Sequence, residues 1–225
     1  MENRVRSICR CRAVALKSTT RYLTWILHPT GNLEAGASLP VTIVAVSDGH
    51  QVYKMVCDEA LASNISVGQS YVFTDCSVGR DVKVLLTNKR TKAFRSSEIK
   101  LTLLLEKEAE ELIYPPAQKM NLPEIHNSND HAKLISTEGT ITHIRPIRMV
   151  RIRGKLIPMG IFFLRKDGAE VKIVRWREAN LPVIEFGQNI AISHLKLKLN
   201  MYGMELSTTE STQITETEEV TVRVC

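Results

Sequence analysis

The chain has 225 residues, 44% of them hydrophobic and 24% charged, with a formal net charge of +6 and only 5% aromatic residues. That is enough apolar material for one or two packed domains without disulfides, and no apolar run approaches the ~20 residues that cross a bilayer. The five cysteines (Cys9, Cys11, Cys57, Cys76 and Cys225) are odd in number and hold no second close pair for a four-ligand zinc site. They read as free thiols in a reducing compartment. With a charged N-terminal stretch and no signal-peptide core, the expected location is intracellular, and specifically nuclear.

In chain order, a first strand is expected at about residues 8–17, followed after a long loop by a β-branched run at 41–46. Asp48-Gly49 then signals a tight hairpin, because glycine tolerates positive φ, and a return strand follows at 52–56. Residues 59–67 carry a helical turn or loop, Gly68-Gln69 ends it, and strands at 70–75 and roughly 82–87 close the unit. Glu106 to Leu112 reads as one short helix. Tyr114-Pro115-Pro116 and residues 127–130 mark an exposed connection, since consecutive prolines exclude regular structure.

The same order then repeats. Asp48-Gly49 recurs as Asp167-Gly168, Val52 as Val171, Glu59-Ala60 as Glu178-Ala179, Ile65 as Ile184 and Gly68-Gln69 as Gly187-Gln188, at a constant offset of 119 positions. Strands are expected at 138–144, 160–164, 171–176, 189–199 and 204–209. Five strands with a break between the third and fourth is the order of the oligonucleotide-binding (OB) barrel. The expected fold is therefore all-β: two tandem five-stranded OB barrels, each with a short helix or turn, joined by a Pro-containing linker. The domains are 1–114, a linker at 115–132, and 133–225 with an acidic tail. Alternating Val220, Val222 and Val224 leave the tail after Thr215 open between an added strand and a truncated end.

The second unit, Lys172-Ile173-Val174-Arg175-Trp176-Arg177-Glu178-Ala179 through Tyr202-Gly203-Met204-Glu205-Leu206-Ser207, resembles a single-strand-binding OB domain of the replication protein A large subunit. The first unit is similar more loosely, through Cys11-Arg12-Ala13-Val14-Ala15-Leu16-Lys17-Ser18 and Ser70-Tyr71-Val72-Phe73. The resemblance covers about residues 5–215. It implies that Trp176 and Tyr202 of the second domain, and Phe73 of the first, stack on bases; such stacking gives about 1–3 kcal/mol per base without reading sequence. The first unit departs from the pattern, with Cys57 where the second has Trp176 and Val78-Gly79-Arg80 where the second has Met201-Tyr202-Gly203. A cysteine cluster for the family's zinc-bearing domain is absent.

Basic residues supply the rest of the expected interface. Arg145, Arg148, Arg151, Arg153 and Lys155 place five positive charges in eleven residues with no acid, in the expected loop between the first two strands of the second unit. Val150 and Ile152 alternate with Arg151, Arg153 and Lys155, so these three charges are expected on one face of an extended segment. Lys196 and Lys198 alternate with leucines, Arg10 and Arg12 alternate with Cys9 and Cys11, and Lys83, Lys89, Arg90, Lys92 and Arg95 gather near the last strand of the first unit. Lysine and arginine along an OB groove neutralise phosphates and release counterions.

Catalysis is not expected. The six histidines show no metal spacing, and neither a nucleophile motif nor a phosphate loop is present. No cofactor or metal is implied. The expected partner is single-stranded nucleic acid, DNA foremost, held mainly by the second barrel, with a protein partner engaging the linker or acidic tail and no membrane. Two other readings fit the same fold: an OB scaffold for protein–protein contacts, and a tandem OB sensor that grips duplex DNA by charge, as in innate immunity.

Overall fold

The computed structural model describes residues 7–79, 83–128, 133–200 and 203–217. The contacts divide it into two compact units, one built from residues up to 21 with 38–115, the other from 22–37 with residues from 116 onward.

In the first unit, β1 (Ser7–Tyr22) leads to a small hairpin, β2 (Trp25–Leu27) and β3 (Leu33–Ala35), that groups with the second unit. Then come β4 (Ser38–Ser47), β5 (Val52–Cys57), the single turn α1 (Glu59–Ala62), β6 (Ser70–Val78) and β7 (Val84–Leu86). The hydrogen-bonded order β1-β4-β5-β7-β6, with β6 returning to β1, closes a five-stranded barrel. Asp58 starts α1 by accepting from the Leu61 N–H, which satisfies one of the helix's free donors. An edge strand β8 (Lys92–Arg95) adds to β6, and α2 (Leu103–Ile113) follows, capped by the Thr102 hydroxyl. Inward residues of alternate positions, among them Cys11, Val44, Val46, Tyr53, Met55, Cys57, Tyr71 and Phe73, fill the barrel.

The second unit opens with β9 (Ala117–Lys119) and α3 (Leu122–His126). Leu122 and Ile125, in the stretch expected to be an exposed connection, are fully buried in the second barrel's core. The strands β10 (Leu134–Ile152), β11 (Lys155–Lys166), β12 (Ala169–Trp176), β13 (Asn189–Asn200) and β14 (Gly203–Ser207) follow, with a 3-10 turn at Arg177–Asn180. The order β10-β11-β12-β14-β13, with β13 pairing back to β10, closes a second five-stranded ring. Both units therefore have the OB strand order. The short strand β15 (Gln213–Glu216) extends the sheet along β13; the three alternating valines of the tail lie outside the described residues.

Three features differ from the sequence expectation. Asp167-Gly168 forms the expected two-residue turn, with φ of 52° and 76°, but Asp48-Gly49 sits in a wider loop in which the Asp48 carboxylate accepts from the His50 and Gln51 N–H groups. The arginine-rich loop of the second unit is instead regular β-structure, with β10 and β11 paired out to Ile152 and Lys155 around a two-residue turn at Arg153-Gly154. The constant offset of 119 also fails face for face. Tyr53, Met55 and Cys57 point into their barrel, whereas Lys172, Val174 and Trp176 share the outer face of β12, because Val171 and Ile173 are the inward residues there.

Candidate nucleic-acid interface

Strand register places the outward residues of the second barrel in rows, since directly paired residues share a face. One row runs Lys198, Glu205, Lys172, Phe163 and His143 across β13, β14, β12, β11 and β10. The next runs Lys196, Ser207, Val174, Ile161 and Arg145, and a third sets Trp176 beside Met159 and Arg148. Four basic residues from these three rows, Arg145, Arg148, Lys196 and Lys198, are exposed, while Val174 and Ile161 are buried.

Trp176 ends β12 half-buried, and its backbone N–H donates to the Thr208 hydroxyl at 2.9 Å, which fixes the strand end that presents the indole. Phe163 lies four residues along β11 from Met159. The Arg145 guanidinium carbon sits 5.5 Å from its ring centre, and His143 meets the ring edge-on at 5.9 Å and 80°. On the other side, Lys172 Nζ donates to Glu205 Oε2 at 2.7 Å. Beyond this pair, Glu170 accepts from the Thr142 hydroxyl and from Arg165, and these contacts hold its carboxyl below the usual carboxylate range. The acids on this side are thus spent on neighbouring partners.

The basic hairpin does not carry its charges as expected. Arg148 and Lys155 lie on the same face as Val150 and Ile152, while Arg151 pairs with Leu156 on the opposite face and Arg153 occupies the turn. The turn reverses the chain between Arg151 and Lys155, so continuing the alternation through it fails. Arg145, Arg148, Arg151, Arg153 and Lys155 are nonetheless all exposed, on a two-stranded ribbon.

The first barrel offers a different surface. Phe73 is wholly buried in the core beside Tyr71, their ring centres 5.9 Å apart, so the stacking role the resemblance implies has no exposed face to act from. Arg10 donates to the Ser97 carbonyl and hydroxyl, and Arg12 donates to the Ile99 carbonyl and pairs with Glu98 at 3.6 Å; both tie down the segment after β8. Lys89 and Arg90 are exposed in a turn closed by Asn88 and Thr91. The outer face of β4 and β5, the position that binds ligands in OB folds, is covered by α2: Ala109 and Ile113 bury Ala15, Ala45 and Val52, with Leu105, Ile43 and Val14 around them. Lys83 Nζ donates to Glu108 at 2.7 Å, and the Tyr114 hydroxyl donates to the Leu16 carbonyl at 2.9 Å, pinning the middle of the helix and its C-terminal end. Burial pushes the Cys11, Cys57 and Cys76 thiols up to about 12, which removes them as nucleophiles at neutral pH. Among the described residues, no three His, Cys, Asp or Glu side chains group to hold a metal ion.

Tyr202 lies outside the described residues. Sequence reasoning missed Phe163, His143 and Lys172. Phe162-Phe163 stands in a continuous apolar run, Ile161 to Leu164, and such a run does not reveal which phenylalanine faces out.

No family model matches the chain, and no curated protein matches it. Among solved structures it is similar to a replication protein A heterotrimer bound to single-stranded DNA, at 10% identity over 96% of this chain and 50% of that one, with a TM-score of 0.46. It is also similar to p202 HIN1 in complex with 12-mer duplex DNA, at 10% identity over 96% of each chain and a TM-score of 0.45. A third similar structure is the p204 HINb domain, at 10% identity over 94% of this chain and 97% of that one, with a TM-score of 0.46.

Proposed function

We propose that this chain binds single-stranded nucleic acid, DNA before RNA, without transforming it, and that the second barrel makes the grip. The observation that carries this reading is the outer face of β11 and β12: Trp176 faces outward there beside exposed Arg145 and Arg148, with Lys196 and Lys198 two strands away on the same side. Aromatic platforms take bases of any sequence, and flanking cations take the phosphates. The first barrel serves as a scaffold, since α2 occupies its equivalent face. The four described free thiols suit a reducing compartment such as the nucleus.

One observation favours duplex binding instead. The ribbon of β10 and β11 carries Arg148 and Lys155 on one face, Arg151 on the other and Arg153 at the turn, and a two-stranded ribbon fits a major groove. Titrating the protein into labelled oligo-dT and into a duplex of equal length, at one defined salt concentration, separates the two. Tighter binding to oligo-dT supports the single-strand reading, and tighter binding to duplex replaces it.

A further inference from the structure

We propose that Phe163, beneath the Arg145 guanidinium, is a second base-stacking position on the second barrel. This rests on the reading of the β11–β12 face as the nucleic-acid contact and names a residue that reading does not require. The register sets Phe163 outward between His143 and Lys172, so its ring has a cation on either flank: Arg145 at 5.5 Å from the ring centre, and the Lys172 ammonium held by Glu205. His143 braces the ring edge, leaving its orientation fixed by an edge-on contact. The ring offers the π face for a base, and the guanidinium beside it puts a positive charge within reach of that nucleotide's phosphate.

The spacing suits a strand that touches both platforms. Phe163 is four residues from Met159, the residue paired with Trp176, which is about 13 Å along a β-strand. At the ~3.4 Å rise per nucleotide of a stacked strand, that separation spans about four nucleotides. A base on Trp176 and another on Phe163 would thus belong to one short oligonucleotide, with Arg145 beside the backbone between them.

The test is the affinity of Phe163→Leu and Trp176→Ala for oligo-dT and for an abasic strand of equal length, with circular dichroism melts to establish that both variants fold. Leucine keeps the apolar bulk and removes the π face. Phe163→Leu is expected to weaken oligo-dT binding at least about five-fold, the low end for one stacked base, and to leave abasic binding unchanged. An equal loss on both strands would make Phe163 a support for Arg145 rather than a base contact, and overturn the proposal. Wild-type oligo-dT binding by Phe163→Leu alone would also overturn it, with the function of the face intact. If Trp176→Ala binds like wild type as well, the single-strand reading of the face fails with it.

Discussion

Arg175 lies inside the second barrel with its guanidinium carbon 5.6 Å from the ring centre of Phe162. It is 3% exposed and has no carboxylate partner among the described residues; its Nη1 reaches the Pro182 carbonyl at 3.0 Å and the Ala179 carbonyl at 3.4 Å. Burial pulls its pKa down to about 10, so it stays cationic at neutral pH. The carbonyls and the ring replace part of the water a buried cation loses, while Nε is buried without a hydrogen-bond partner among the described residues, at the end of β12 next to Trp176.

Arg175→Lys should therefore destabilise the second barrel. A lysine keeps the charge and can still donate to the carbonyls, but it has no planar guanidinium to lay against the Phe162 ring, and the expected cost is about 1–3 kcal/mol. Urea denaturation checks this; an unchanged midpoint would mean the guanidinium geometry contributes nothing.

The helix α2 supplies a test of which barrel binds. Ile113→Ala removes a nearly buried side chain from the α2 contact and should cost the first unit about 2–4 kcal/mol. Oligo-dT affinity, measured well below the melting temperature, should not change. A fall in affinity in a folded variant would place part of the contact on the first barrel.

Glu138 sets an acid limit on the second unit. Its hydrogen bond from Lys166, at 2.6 Å, and the nearby Lys119 hold its carboxyl below the ordinary value of 4.5, against the opposing pull of burial. Because the folded value is the lower one, this stabilisation is present above the unfolded value and is lost as pH falls through the folded one. Glu138→Gln should flatten the decline in urea midpoint below about pH 4.5, and a decline as steep as wild type would assign the acid sensitivity to other groups.

The hairpin tip should govern salt dependence. Each phosphate contact on a single strand contributes about 0.7 to the slope of log affinity against log salt. Arg151→Gln with Arg153→Gln should lower that slope by up to about 1.4, and an unchanged slope would route the strand away from the tip.

The strand order was legible because β-branched runs and Asp-Gly turns are local signals. The faces were less so. Cys57 and Trp176 occupy equivalent places in the repeat, yet one points inward and the other outward, a one-residue difference in phase that matching residue types cannot register. Phe73 and Phe163 each sit in an apolar stretch that leaves their direction open, and only the pairing partners decide that the first is core and the second is surface. The hairpin tip did carry a turn signal, Arg153-Gly154 after Ile152 and before Lys155-Leu156, but the density of charge there suggested a loop. Leu105, Ala109 and Ile113 follow helical spacing, which identifies a buried face of α2 without saying what it covers.

The proposed grip centres on Trp176, which would take a base on the outer face of the second barrel. Its most direct test is the dissociation constant of labelled oligo-dT for wild type and Trp176→Ala, by fluorescence anisotropy at one salt concentration. Trp176→Ala is expected to bind at least about five-fold more weakly with the salt slope unchanged. Equal affinity for the two proteins would contradict it.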